Sequence, residues 1–333
     1  MSDGSLQRTP TAIALTPILS ARYRARDLDR IAAAAPGSRL VGVSREGLAD
    51  GSLDDVEVLL SGFLGPGALE RLLARSPSLR WIHSASAGVE RVSVLARARS
   101  GILVTNARGV FSRPVAEYVA MMVLAISRRL PQLIELQRER TWQPLEGREL
   151  SDVTVGVVGL GSMGREVAGL AAMLGARVVA TRRRAEGSAA PPGIEVLGGA
   201  EALPALLAAA DFVVLAVPLT PETDGLIGPD EIAAMRPDAW LVNVSRGRLV
   251  DEAALERGLR DGRLGGAVLD AFRDEPLSPA SPFWTMPNVV VTPHTSWSTD
   301  RVLDRSIDLF CDNLGRYRRG EPLANVVDTD AGY

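Results

Sequence analysis

Short apolar runs alternate with longer stretches of helical periodicity along most of the chain, the pattern of an α/β protein built on parallel sheets. In the first third, Ala12–Leu15, Arg39–Val43, Val56–Leu60, Leu79–His83 and Ile102–Thr105 predict strands. Helical stretches lie between them, such as Gly67–Arg75 after Pro66. A long helical segment follows from Pro114 to about Arg140. Pro114 suits a first helical turn, where its missing N–H is harmless, and Pro131 is expected to kink or divide the segment. A second α/β unit opens with a strand at Val153–Val158, a helix at Met163–Leu174 and a strand at Arg177–Thr181. Further strands are expected at Phe212–Val217, Trp240–Val244, Gly266–Leu269 and Val289–Thr292. Ala185–Gly193 reads as a surface loop. The last helix, about Asp300–Tyr317, is amphipathic and is expected to return to the first domain. No internal repeat of fixed period is present.

Composition narrows the function. The 333 residues suffice for two domains, and 46% hydrophobic with 23% charged residues is the balance of a packed soluble protein. A net charge of -3 gives no electrostatic case for nucleic acid. No apolar run reaches the roughly 18 residues of a membrane span. The N-terminus shows no secretion signal, so a cytoplasmic protein is expected. The single cysteine, Cys311, excludes an internal disulfide and a cysteine-based zinc site, and no metal is expected. All 37 basic residues are arginine. The absence of lysine excludes Schiff-base chemistry, Walker-A hydrolases and protein kinases. Only His83 and His294 could carry a proton as imidazole.

Gly159-Leu160-Gly161-Ser162-Met163-Gly164 fits the GxGxxG pattern directly after a Val-rich strand and at the start of a helix, which marks a dinucleotide site. Gly159 permits the tight turn, Gly161 lets the main chain approach a pyrophosphate, and Gly164 lets helix and strand pack closely. The next strand runs into Arg182-Arg183-Arg184. Arg182 stands where a carboxylate would bind the ribose 2′-hydroxyl of NAD. Guanidinium groups instead suit a 2′-phosphate, so NADP(H) is the expected cofactor, with NAD as the alternative.

Three later segments end predicted strands: Asn243-Val244-Ser245-Arg246-Gly247, Leu269-Asp270-Ala271-Phe272-Arg273-Asp274-Glu275-Pro276 and Thr292-Pro293-His294. In a doubly wound sheet, ligands sit beyond these carboxyl ends. The ordered motifs GLGSMG, VPLTPET, NVSRGRLVDE, LDAFRDEP and VTPHTS resemble the D-2-hydroxyacid dehydrogenase family. SAGVE at Ser86–Glu90 and TNARGVFSRPVAEY at Thr105–Tyr118 extend the resemblance over most of the chain.

The resemblance implies two doubly wound parallel-sheet domains. A Rossmann cofactor domain, residues 113–298, would be inserted into a discontinuous flavodoxin-like substrate domain, residues 1–112 and 299–333. It implies that Arg246 binds the substrate carboxylate and polarises the keto oxygen, that His294 donates the proton, and that Glu275 orients His294 and raises its basicity. Asp270 would bind the nicotinamide carboxamide. Ser162 and Met163 would contact the pyrophosphate, and Val217 and Pro218 the adenosine side. Val244, Ser245 and Arg183 complete the expected cofactor shell, and Ala87, Gly88 and Val89 would hold the substrate carboxylate.

Two departures qualify the match: Arg182 replaces the usual aspartate, and Ala216 stands where histidine is frequent. The chain stops soon after the last helix, so serine feedback through a regulatory extension is not expected. A small 2-oxo acid such as glyoxylate or hydroxypyruvate is the expected substrate, in a pocket shaped by Phe63, Leu64, the Ser84–Val89 loop and Trp297. Larger 2-oxo acids, 3-phosphoglycerate and a non-enzymatic dinucleotide-sensing role are the alternatives. A β-hydroxyacid dehydrogenase is excluded, because that family needs a catalytic lysine and an N-terminal glycine motif. The apolar stretch Val119–Ile126 resembles the family's dimer-forming helix and predicts a homodimer.

Overall fold

The computed structural model describes residues 9–18, 23–99, 101–182, 191–199 and 202–329, with Glu90 and Arg91 as main chain only. The chain forms two compact units, one of Met1–Phe111 with Thr299–Tyr333, the other Ser112–Ser298.

The first unit holds a five-stranded sheet. Its strands are β1 (Ala12–Leu15), β2 (Arg39–Gly42), β3 (Val56–Ser61), β4 (Trp81–Ser84) and β5 (Leu103–Asn106), in the flavodoxin-like order β2-β1-β3-β4-β5. Every pairing is parallel. All residues of β1 and β3 are buried, as strands covered on both faces must be. Helices α1 (Ala25–Ala34), α2 (Ala68–Ala74) and α3 (Glu90–Ala98) supply the covers. The C-terminal helix, Val302–Arg319, buries Val302, Leu303, Ile307, Phe310 and Leu314, spaced to form one face. It packs against α1, where Arg24, Arg26 and Arg30 reach Asp304. Gly320, with φ 67°, ends it in the left-handed conformation that glycine adopts without strain.

The expected helix Pro114–Arg140 is two helices, α4 (Ser112–Ser127) and α5 (Leu130–Arg138). The break falls at Arg129, whose φ of 58° is left-handed, and not at Pro131. Pro131 sits in the first turn of α5, where it disturbs no hydrogen bond.

The second unit carries a seven-stranded parallel sheet. Its strands are β6 (Thr154–Val158), β7 (Arg177–Thr181), β8 (Ile194–Leu197), β9 (Phe212–Leu215), β10 (Trp240–Asn243), β11 (Gly266–Leu269) and β12 (Val289–Val291). Their order, β12-β11-β10-β9-β6-β7-β8, reverses direction of growth between β6 and β9, the switch point at which such sheets bind ligands. β8 was not expected: it is a short edge strand after the Pro- and Gly-rich stretch, with only Ile194 buried. β9 ends at Leu215, two residues before the expected limit, and β12 ends before Thr292. Helix α6 (Ser162–Met173) follows β6 and packs on α4. Residues 185–190 of the expected loop lie outside the described residues.

Candidate active site

The glycine turn joins β6 to α6. Gly159 has φ 97°, a conformation that L side chains rarely adopt. A Cβ on Gly164 would overlap the Gly159 carbonyl, so helix and strand meet main chain to main chain. A Cβ on Gly161 would meet nothing within 4 Å, which leaves open space at the helix entrance. Gly161 is the N-cap of α6 and no side chain caps it. The turn therefore offers a glycine-floored opening beside uncapped helix amides, which fits a pyrophosphate. Ser162 and Met163 form the first turn of that helix.

The neighbouring strand β7 ends at Thr181, whose Oγ1 accepts a hydrogen bond of 3.3 Å from the Gly159 N–H. Arg182 follows at once and is half-buried. Arg183 lies outside the described residues. On the other side of β6, Val217 follows β9 and packs against Gly159, its Cγ1 2.5 Å from where a Cβ would stand. Ser245 Oγ donates to the Val217 carbonyl at 2.6 Å and joins this strand end to the next.

The loop after β10 is braced by Asn243. Its Oδ1 accepts from the Ser245 N–H at 3.1 Å, and its Nδ2 donates to the Arg246 carbonyl at 2.9 Å. Asn243 is 1% exposed, so the brace is shielded from water and Arg246 emerges from a fixed turn. The main chain at Arg246 is extended, and the Arg246 guanidinium donates to the Ser245 carbonyl at 2.9 Å.

After β11 comes Asp270, wholly buried. Its Oδ1 accepts from Thr292 Oγ1 at 2.6 Å and the Thr295 N–H at 2.8 Å, and its Oδ2 accepts from the Ser296 N–H at 3.0 Å. Asp270 thus anchors the loop that carries His294. His294 has φ 50°, left-handed and uncommon for a side-chain-bearing residue, and its N–H donates to the Thr292 carbonyl at 3.0 Å. Beyond Asp270, Glu275 turns back so that Oε1 accepts from the Phe272 N–H at 3.0 Å. His294 Nδ1 lies 3.1 Å from Glu275 Oε1 and 2.9 Å from Oε2. Burial alone would push the Glu275 carboxyl up. The hydrogen bonds from His294 and Phe272, with the charges of His294 and Arg246, outweigh it and hold Glu275 below the usual carboxylate range.

The strand ends therefore bring Arg246 within electrostatic reach of a hydrogen-bonded Glu275–His294 pair, beside a dinucleotide-shaped turn. Sequence reasoning missed Asn243, Thr292 and Tyr118, whose hydroxyl is 2.7 Å from Thr292 Oγ1. All three stand inside the motif runs, but nothing in their spacing separates a brace from a core residue.

Other expected residues fall elsewhere. In the first unit, Ala87, Gly88 and Val89 lie between β4 and α3, with Ala87 exposed and its carbonyl held by Asn106 Nδ2 at 3.0 Å. His83 is fully buried in β4. Leu64 packs on that unit's core, whereas Phe63 is exposed. Trp297 packs against the core of the second unit.

Residues 120–296 match the family described as D-isomer specific 2-hydroxyacid dehydrogenase, NAD binding domain. A glyoxylate reductase of Korarchaeum cryptofilum is 32% identical over 89% of this chain and 88% of its own length. The chain belongs to the D-isomer specific 2-hydroxyacid dehydrogenase family. A D-3-phosphoglycerate dehydrogenase of Mycobacterium tuberculosis is 38% identical over 78% of this chain, but the match spans only 49% of that relative. Among solved structures, a family member from Xanthobacter autotrophicus Py2 in complex with NADPH superposes with a TM-score of 0.84 at 33% identity, covering 97% of this chain and 100% of the other. An NADPH-dependent glyoxylate/hydroxypyruvate reductase from Sinorhizobium meliloti, in complex with NADP and sulfate, reaches 0.83 at 28% identity, with coverage of 97% and 100%. The span matched to the 2-hydroxyacid dehydrogenase family contains the glycine turn, Arg246, Asp270, Glu275 and His294, and stops two residues short of Tyr118.

Proposed function

We propose that this chain is an NADP(H)-dependent reductase of small 2-oxo acids of the glyoxylate and hydroxypyruvate kind, forming D-2-hydroxy acids. The observation that carries this reading is the 2.9 Å contact of His294 Nδ1 with Glu275, which uses one imidazole nitrogen and leaves Nε2 to carry a transferable proton.

The dinucleotide, when bound, supplies the hydride. Gly159, Gly161, Ser162, Met163 and Gly164 would hold its pyrophosphate. Arg182 would take a 2′-phosphate, with Arg183 beside it in sequence. Val217, Pro218, Val244, Ser245 and Asp270 would line the rest. The chain's own chemistry answers the charge that grows on the substrate oxygen. Arg246 binds the carboxylate and draws electron density from the carbonyl. His294 delivers the proton from Nε2 as that charge develops. Glu275 fixes the ring and stabilises its protonated form. The amides of Ala87, Gly88 and Val89 are the proposed carboxylate donors of the first unit.

Two features support the cofactor and substrate choice. Arg182 follows β7 where a repelling carboxylate would otherwise stand, and a relative matched over 88% of its own length is named a glyoxylate reductase. The test is absorbance-monitored oxidation of NADPH and NADH by the purified protein across a panel of 2-oxo acids. Turnover of a small 2-oxo acid with NADPH is expected. Cofactor binding without turnover on any of them would overturn the enzymatic reading.

A homodimer is part of the same proposal. Helix α5 buries no residue in this chain, and Met121, Leu124, Leu130, Leu133, Ile134 and the wholly exposed Trp142 are exposed apolar side chains of α4, α5 and the segment that follows. A monomer mass by light scattering would refute it.

A further inference from the structure

We propose that Tyr118 is a positioning residue for His294, acting through a directed chain of hydrogen bonds over Thr292 and Asp270. The inference rests on the reading of His294 as the proton donor and extends it to a residue of α4 that lies just outside the span matched to the family.

The direction of the chain follows from counting protons. Asp270 accepts two main-chain N–H groups, from Thr295 and Ser296, and a third hydrogen bond from Thr292 Oγ1 at 2.6 Å. A threonine hydroxyl has one proton and two lone pairs. Once that proton is committed to Asp270, Thr292 can only accept from Tyr118. The 2.7 Å contact is therefore Tyr118 O–H donating to Thr292. Three groups in order, phenol, hydroxyl and buried carboxylate, point the same way, an arrangement in which each bond polarises the next.

The chain also closes a loop. Thr292 at one end and Thr295 and Ser296 at the other are tied to one carboxylate, and His294 sits between them with φ 50°. An uncommon main-chain conformation persists only where its surroundings over-determine it. Asp270 supplies three of those restraints, and Tyr118 fixes the Thr292 hydroxyl from α4, 174 residues away in sequence.

The ordinary role for Tyr118 is packing, since its ring lies against the core of the second unit. Tyr118→Phe keeps the ring and removes the hydroxyl, so it separates the two roles. Because the chain has only two histidines, selective ¹³C-histidine labelling gives two imidazole signals, and His294→Ala assigns them.

In Tyr118→Phe, the His294 signal is expected to move while the His83 signal stays. kcat is expected to fall about three- to tenfold, well short of the roughly hundredfold that a full 1 Å misplacement can produce. The Kd for NADPH should stay within about twofold, as for a residue that acts on the chemical step. Thr292→Val should reproduce the defect, Thr292→Ser should restore it, and the double variant should be no worse than Thr292→Val alone. An unmoved His294 signal with unchanged kcat would overturn the proposal, as would additive losses in the double variant. If the wild-type protein turned over no 2-oxo acid, the functional reading would fail separately, and the His294 signal in Tyr118→Phe alone would decide the positioning role. The same signal decides if Thr292→Val does not fold.

Discussion

Gly247 and Phe272 are in such close contact that a Cβ on Gly247 would overlap the main chain at Phe272 and Arg273. The contact presses the turn that carries Arg246 against the turn that carries Glu275. It is a main-chain contact, so no rotamer change can relieve an added methyl group. Gly247→Ala should therefore separate the two turns. We expect a loss of about 1–3 kcal/mol in urea unfolding, as for other buried overlaps, together with at least about a tenfold loss of turnover. An unchanged urea midpoint with full turnover would show that the contact is not needed.

His294→Ala should reduce turnover by about two to four orders of magnitude while NADPH affinity stays nearly unchanged, as loss of a general acid predicts. The Glu275 partner adds a pH signature. Its folded carboxyl titrates below the usual value of 4.5, so its stabilising effect is present above that value and is lost as pH falls through the folded one. Glu275→Gln should then be less stable than wild type near neutral pH, with the gap closing in acid below about pH 4.5. Thermal unfolding of both proteins as a function of pH measures the gap; a constant gap would mean that the contact does not depend on the charge.

Most of this architecture is legible in the residues because it rests on strong local rules. Strand runs such as Val56–Ser61 are buried throughout, and the Gly159–Gly164 spacing has one physical use after such a strand. What was missed lacks such a rule. Ile194–Leu197 is a four-residue edge strand, too short to stand out from the loop before it. The division of α4 from α5 falls on Arg129, whose left-handed conformation nothing in an arginine announces, while the proline that looked like the breaker lies harmlessly in a first turn. Tyr118 reads as one more aromatic on an apolar helix. Its hydroxyl acquires a meaning only when the sheet brings Thr292 to it across 174 positions.

The proposed preference for NADP(H) rests on Arg182. A guanidinium bonded to a phosphate contributes about 1.5–3 kcal/mol, which corresponds to about ten- to hundredfold in affinity. Arg182→Asp removes the cation and adds a carboxylate suited to a ribose 2′-hydroxyl. The ratio of kcat/KM for NADPH over NADH should therefore fall by at least about tenfold. An unchanged ratio would leave Arg182 as one more solvated arginine and return the choice of cofactor to other residues.

His83 carries a prediction about stability rather than catalysis. It is fully buried between Trp81, at 6.1 Å ring to ring, and Phe310, at 5.4 Å. Its Nδ1 lies 2.7 Å from Thr105 Oγ1, which also accepts from Trp81 Nε1 at 2.8 Å. Its Nε2 has no hydrogen-bond partner among the described residues. Burial pushes its pKa down from 6.5 to about 3, so the folded protein holds it neutral while the unfolded chain protonates it. Between those two values the unfolded state binds the extra proton. Its contribution is therefore fully present above about pH 6.5 and is lost as pH falls toward 3, with a slope approaching about 1.4 kcal/mol per pH unit. Urea unfolding at several pH values between about 7 and 4.5 should show wild type losing stability faster than His83→Gln, which has no group that titrates there. Parallel curves for the two proteins would mean that His83 takes up its proton without unfolding, and the buried, neutral imidazole would be wrong.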